Sequence, residues 1–186
     1  MAETDVRRIY MSSLKLFVPS IEELSYRKKL LSDPETMDYN KGLKLEFKGY
    51  DNKTGCIDFK KSKWDDWHNG WINREPDRYY AYLVEKNNNC PIGEVAIRFD
   101  KEKITHIISI IIEAKHQGKG YGSEGLKLLL EKAFFEFGLE KVSDEFPESR
   151  TAAVKLFKDF GFKVVEKNNK NILLELKLER YLEYRS

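Results

Sequence analysis

The chain has 186 residues, enough for one well-buried core, and no Pro/Gly/Ser-rich linker divides it, so 1–186 reads as a single domain. Its 33 Lys plus Arg nearly balance 31 Asp plus Glu, which argues against a general nucleic-acid or membrane-surface binder. No apolar run reaches the ~20 residues that span a bilayer, the opening MAETDVRRIY lacks a signal core, and Cys56 and Cys90 have no metal-ligand spacing, so a cytoplasmic protein without a metal is expected.

In chain order, residues 8–17 alternate as a strand, and Ser20 with Glu23 has the spacing of a capping box for a helix to about Leu31. Residues 32–59, with Asp33-Pro34 and several glycines, read as loop with room for one short helix. Ser62 and Asp65 repeat the capping spacing, and the helix they announce carries Trp64, Trp67 and Trp71 on one face. That indole stripe is expected to pack into the core and border a pocket, while Asp65 and Asp66 are solvated first-turn charges. Residues 78–86, 92–99 and 104–112 are β-rich runs separated by turns, an antiparallel meander.

The branched apolar run that ends at Ile112 leads through Glu113 to Gln117 into Gly118-Lys119-Gly120-Tyr121-Gly122-Ser123. Leu126, Leu129, Leu130, Ala133, Phe134 and Phe137 then recur at helical spacing, so a one-sided helix follows the glycines and ends at Gly138. Glycines at a helix start let several backbone N–H groups converge, and the helix dipole adds to an anion site suited to phosphate. Gly120-Tyr121-Gly122-Ser123-Glu124-Gly125 also matches the dinucleotide fingerprint, with Asp144 or Glu145 downstream in the place of the ribose-binding acid. The polar stretch between strand and first glycine, and the short chain beyond, argue against that fold. Residues 141–146 form a strand stopped by Pro147, 148–160 a helix ended by Gly161, and 162–166 with 172–178 a hairpin.

Gln117-Gly118-Lys119-Gly120-Tyr121-Gly122 resembles the pyrophosphate loop of the GNAT superfamily of N-acetyltransferases, and residues 153–162, ending in Phe160-Gly161-Phe162, resemble the family's later helix. The resemblance implies an α/β fold with a mixed, mostly antiparallel sheet that splays at the cofactor cleft. It implies acetyl-CoA as cofactor, with pantetheine on the strand edge Ile110, Ile111 and Ile112 and diphosphate on the amides of residues 117–122 and Ser123. Lys119 stands at the rim as added charge or as an ordinary loop lysine.

Direct transfer to an amine needs a proton acceptor near the thioester. Glu145 aligns with a glutamate that serves as base in some ribosomal-protein N-acetyltransferases of the superfamily; Glu94 and His106 are further candidates, although a lone histidine on an apolar strand face also reads as a core group. Arg150 stands where many members have asparagine and would reach a CoA phosphate or the surface. Phe157 stands where many have the tyrosine that protonates the leaving thiolate, and it cannot donate a proton. Polyamines, aminoglycosides, peptide N-termini and small amines all remain as acceptors, a homodimer is left open, and the competing reading is an acyl-CoA-binding module without catalysis.

Overall fold

The computed structural model describes residues 12–185; residues 8–11 of the expected first strand lie outside them. Seven strands, β1 (Leu14–Phe17), β2 (Arg78–Glu85), β3 (Pro91–Asp100), β4 (Thr105–Ile112), β5 (Lys141–Pro147), β6 (Lys163–Asn168) and β7 (Asn171–Lys177), form one sheet in the order β1-β2-β3-β4-β5-β7-β6. Every neighbouring pair is antiparallel except β4 and β5, which are parallel. The helices are α1 (Leu24–Leu31), α2 (Pro34–Met37), α3 (Trp64–Trp71), α4 (Tyr121–Glu131), α5 (Thr151–Asp159) and α6 (Leu178–Arg185). The expected mixed, mostly antiparallel sheet is therefore present.

Strand alternation decides what each face packs against. Tyr79, Ala81 and Leu83 of β2, Val95 and Ile97 of β3 and Ile108 of β4 meet Leu126, Leu129, Leu130 and Ala133 beneath α4. Each of those leucines contributes roughly 1.5–3 kcal/mol by burial, enough to pin the helix whose first turn carries the glycine loop. On the other face Tyr80, Tyr82 and Val84 pack with Trp67 and Trp71. Leu24 and Leu31 of α1 join Met37, Phe59 and Trp64 in a separate cluster on that side.

One irregularity matters for the site. Leu83 pairs with Gly93 but Val84 with Pro91, so Ile92 is the extra residue of a β-bulge. The phase of β3 slips there, because Ile92 and Val95, three residues apart, both face the α4 core. Glu94, alternating with Val95 and Ile97 beyond the bulge, faces the other side with Tyr80 and Tyr82. Gly93 is required by the close approach of β4: a Cβ on it would stand 2.2 Å from the Ile111 carbonyl oxygen.

Several expectations need correction. Ser62 caps nothing, since Lys61–Lys63 coils as a 3-10 turn straight into α3, whose N-cap is Lys63 without a side-chain bond. The helix expected over 148–160 starts at Thr151, because the N–H groups of Glu148 and Arg150 are held by the carbonyls of Lys170 and Pro147. Only half of the first capping box forms: Glu23 accepts the Ser20 N–H at 2.8 Å, and the regular turns of α1 begin at Leu24. Helix α6, with Leu178, Tyr181 and Leu182 at helical spacing, lies beyond the expected elements and starts at the last residue of the expected strand 172–178. Segment 32–59 does hold one short helix, α2, capped by the Asp33 carboxylate on the N–H groups of Glu35 and Thr36. Thr36 Oγ1 in turn accepts the Ala114 N–H at 2.9 Å, tying this segment to the exit of β4.

Gly93→Ala forces β3 and β4 apart and is expected to cost roughly 3 kcal/mol, at the upper end of the overpacking range. Gly70→Ala, inside α3 with only the Arg78 side chain at 3.5 Å from the new Cβ, is expected to stabilise by about 0.5–1 kcal/mol. Thermal melts of the two variants should move in opposite directions; a neutral Gly93→Ala contradicts the close approach.

Candidate active site

The site begins where the sheet comes apart. β4 and β5 pair only at His106 with Val142 and Ile107 with Ser143, and Thr105 Oγ1 and Ser143 Oγ, 3.0 Å apart, close that end. Beyond it β4 stays bonded to β3 and β5 to β7. The facing edges open a cleft of about 1530 Å³, whose walls include Ile107, Ser109, Ile110, Ile111 and Ile112 on one side and Asp144, Glu145, Phe146, Arg150 and Phe157 on the other. An unpaired strand edge presents N–H and C=O groups to whatever enters.

At the mouth, Gln117 Nε2 donates to the Ile112 carbonyl at 2.9 Å, fixing the turn out of β4. Gly118 and Gly120 hold φ of +74° and +85°, left-handed values that glycine adopts without strain, and Gly120 is the N-cap of α4. The first-turn amides of α4, from Tyr121 to Ser123, have no carbonyl one turn back within the helix and face outward from its positive end. Gln117 and Gly122 line the cleft; Gly118, Lys119, Gly120 and Ser123 are exposed. Tyr121 turns away, its hydroxyl bonded to Glu85 and its ring beside His116. The unpaired β4 edge and the left-handed glycines at the helix start fit an acyl pantetheine chain and a diphosphate.

Gly125 explains why the dinucleotide fingerprint matches. A Cβ there would stand 2.6 Å from Leu83 Cδ1 and 3.0 Å from Ile110 Cδ1, so this glycine lets α4 press onto the sheet. That is the packing role of the third glycine in the dinucleotide motif, met here on a different sheet.

The front of the cleft is aromatic and charged. Trp64 is buried in the core, and Trp67 and Trp71 form part of the cleft wall, so the indole stripe does both things expected of it. Glu94 is buried, and Arg27 Nη1 donates to its Oε1 at 2.5 Å while the Tyr80 hydroxyl donates to Oε2. The guanidinium of Arg27 lies 4.6 Å from the Trp67 ring centroid and 4.9 Å from that of Tyr80. Burial and the neighbouring Glu94 carboxylate push the Tyr80 hydroxyl well up, keeping it a proton donor. Sequence reasoning missed Arg27, though a signal existed: it falls on the helical face of Leu24 and Leu31, which are buried.

The three expected bases are placed differently. Glu94 and Glu145 line the cleft; His106 does not, packing its ring against Phe99, with burial lowering its pKa. Glu145 is ion-paired with Lys103 of the β3–β4 turn, and that bond holds its carboxyl below the usual range. Its neighbour Asp144, half-buried in the cleft wall, is pushed up to about 7, first by burial. Arg150 stacks over Tyr39 at 4.4 Å and Phe146 at 5.2 Å. Phe157 is buried, its ring edge-on to Phe146 and Phe162.

Comparison with known proteins agrees with this geometry. The spermidine N-acetyltransferase of Vibrio cholerae, in complex with CoA and spermine, superposes with a TM-score of 0.71 at 18% identity, over 92% of this chain and 99% of that one. An apo nucleotide-linked sugar GNAT, FdhC, gives 0.68 at 18% identity, over 94% and 92%. An acetyltransferase (GNAT family) from Bacillus anthracis gives 0.64 at 14%, over 89% and 94%. Such identities speak for the fold. Membership rests on the match of residues 45–162 to the acetyltransferase (GNAT) family, which bears out the resemblance read from the glycine loop, with acetyl-CoA as donor and N-acetyl transfer as activity. A sheet that parts between its two parallel strands, above a glycine-rich helix start, is thus explained by descent: the chain belongs to the acetyltransferase (GNAT) family.

Proposed function

We propose that the acetyl acceptor is the primary amine of a small molecule or peptide, entering from the face bordered by Trp67, Trp71 and Tyr80 and meeting the thioester where β4 and β5 separate. The observation that carries this reading is the continuity of one cleft, from the glycine loop past the open β4 edge to buried and half-buried carboxylates. Bound acetyl-CoA supplies an activated acyl carbon. The chain supplies backbone groups of Ile110 to Ile112 for the pantetheine, amides of residues 117–123 for the diphosphate, and a carboxylate to take a proton from the incoming ammonium. Glu94, held by Arg27 and Tyr80, orders the acceptor side.

Polyamines lead the acceptor classes, because spermidine N-acetyltransferases recur among the similar structures. Aminoglycosides and peptide N-termini follow. We place the protein in the cytoplasm, a reading supported by its free cysteines, Cys56 and Cys90, and by the absence among the described residues of any helix long and apolar enough to cross a membrane. A homodimer is compatible with it. The second reading, an acyl-CoA-binding module without turnover, is favoured by one observation: Phe157 occupies the position where an acid is usual, buried among phenylalanines.

Incubation with acetyl-CoA and a panel of spermidine, putrescine, kanamycin and an alanine-initiated peptide decides between the two; release of free thiol with one panel amine is expected, and CoA binding without turnover of any amine establishes the module instead. Gly120→Val, which forces a branched side chain into a left-handed N-cap, is expected to weaken acetyl-CoA binding by more than about tenfold, some 1.4 kcal/mol. Calorimetry on the folded variant checks it; unchanged affinity removes the glycine loop from the cofactor site.

A further inference from the structure

The amine reading leaves the proton acceptor unsettled among carboxylates, and the structure separates them by what each already holds. Glu145, the aligned candidate, is ion-paired to Lys103. Glu94 accepts from both Arg27 and Tyr80, so protonating it would break a buried charge pair. His106 lies outside the cleft wall, beside Phe99 and near the carbonyl of Pro76.

Asp144 differs from all three. It is the first residue of β5 after Ser143, whose pairing with Ile107 is the last contact between the parallel strands. Its outer edge is satisfied by Leu174 of β7, and one residue past the last parallel pair it lines the cleft together with Ile107, Ser109 and Ile110 of β4. Its Oδ1 accepts the N–H of Glu145 at 2.8 Å, which turns the carboxyl back toward its own strand and fixes it. The charged groups around it are Arg98 of β3, Arg150 at the start of α5 and Glu145 beside it. Arg98 Nη1 sits 3.4 Å from Asp100, and Arg150 is stacked on Tyr39 and Phe146. These cations draw the carboxyl toward its charged form, while burial, the largest influence, opposes it.

Resting on the acetyltransferase reading above, we infer that Asp144 is the catalytic residue that accepts the proton of the acceptor ammonium. One proton passes from the ammonium nitrogen to Asp144 Oδ. The freed amine attacks the thioester carbonyl carbon; the C–N bond forms and the C–S bond breaks. The second proton shed by that nitrogen ends on the departing thiolate, and the proton on Asp144 is released to solvent, so the net products are amide, thiol and one proton. No hydroxyl donor is needed at position 157. A carboxyl near 7 is charged often enough at neutral pH to accept this proton and basic enough to take it from an ammonium.

The test has an acceptor-independent arm. Carbon-13 NMR titration of the aspartate carboxyls, assigned with Asp144→Asn, should show one group titrating near 7 in the free protein; Asp144 titrating near the ordinary value of about 4 overturns the inference. In the second arm kcat/KM is measured against pH with the panel amine turned over fastest. Wild type should show an acidic limb near 7. Asp144→Asn should lose that limb and about 10²-fold or more in rate at pH 7, with acetyl-CoA affinity retained. In Glu145→Gln the limb persists, whatever its rate. A limb retained in Asp144→Asn, or lost in Glu145→Gln, overturns the inference alone; absence of turnover with every panel amine overturns the acetyltransferase reading and this inference with it.

Discussion

The constraint on which the rest depends is the failure of two parallel strands to stay together. β4 is bonded along eight residues to β3 and β5 along seven to β7, while β4 and β5 share only two pairs. Each strand is satisfied on its outer edge, so the sheet behaves as two halves joined at Ile107 and Ser143. Exposed ladder groups on the inner edges are costly if nothing meets them. A chain that places such edges beside a glycine-rich helix start has built a slot for an extended ligand that ends in an anion. What fixes the slot is packing at its back: α4 lies down on β2 and β4 only because Gly125 has no side chain, and its buried leucines keep the first turn aimed at the mouth.

One wall of the cleft is organised by a buried ion pair. Glu94 alternates with Val95 and Ile97 of the α4 core, so it faces the other side of the sheet, opposite Tyr82. There the carboxylate meets Arg27, whose guanidinium is sandwiched by aromatic rings. A buried ion pair of this kind offers little net stability after its desolvation cost, yet removing one partner costs about 3–5 kcal/mol. Its value lies in fixing α1 against β3, and therefore in fixing that wall of the cleft.

Local chemistry explains what could be read from the residues and what could not. The spacing of Leu126, Leu129 and Leu130 states a helix and its buried face without help from the rest of the chain. Gly118 and Gly120 announce backbone freedom, and their positive φ values confirm the reason. By contrast, Ser62 carries the right residue type for a cap but sits in a 3-10 turn, because capping also needs an extended backbone at that point. The bulge at Ile92 left no mark beyond Gly93. The parting of β4 and β5 is invisible to any local pattern, since Ile107 to Ile112 reads the same whether its neighbour is a strand or a ligand.

That tertiary opening also decides between two adjacent acids. Asp144 and Glu145 are consecutive on β5, which keeps an unbroken register with β7. Both line the cleft, and their partners make them unlike. Glu145 reaches Lys103 on the turn between β3 and β4, and the cation keeps it charged and occupied. Asp144 is left with its neighbour's amide and two arginines engaged elsewhere, so burial prevails and its proton is held to about 7. Two carboxylates pushed apart by environment are the usual means by which one site both fixes charge and moves protons. Here Lys103 on one acid and burial on the other set the two environments apart.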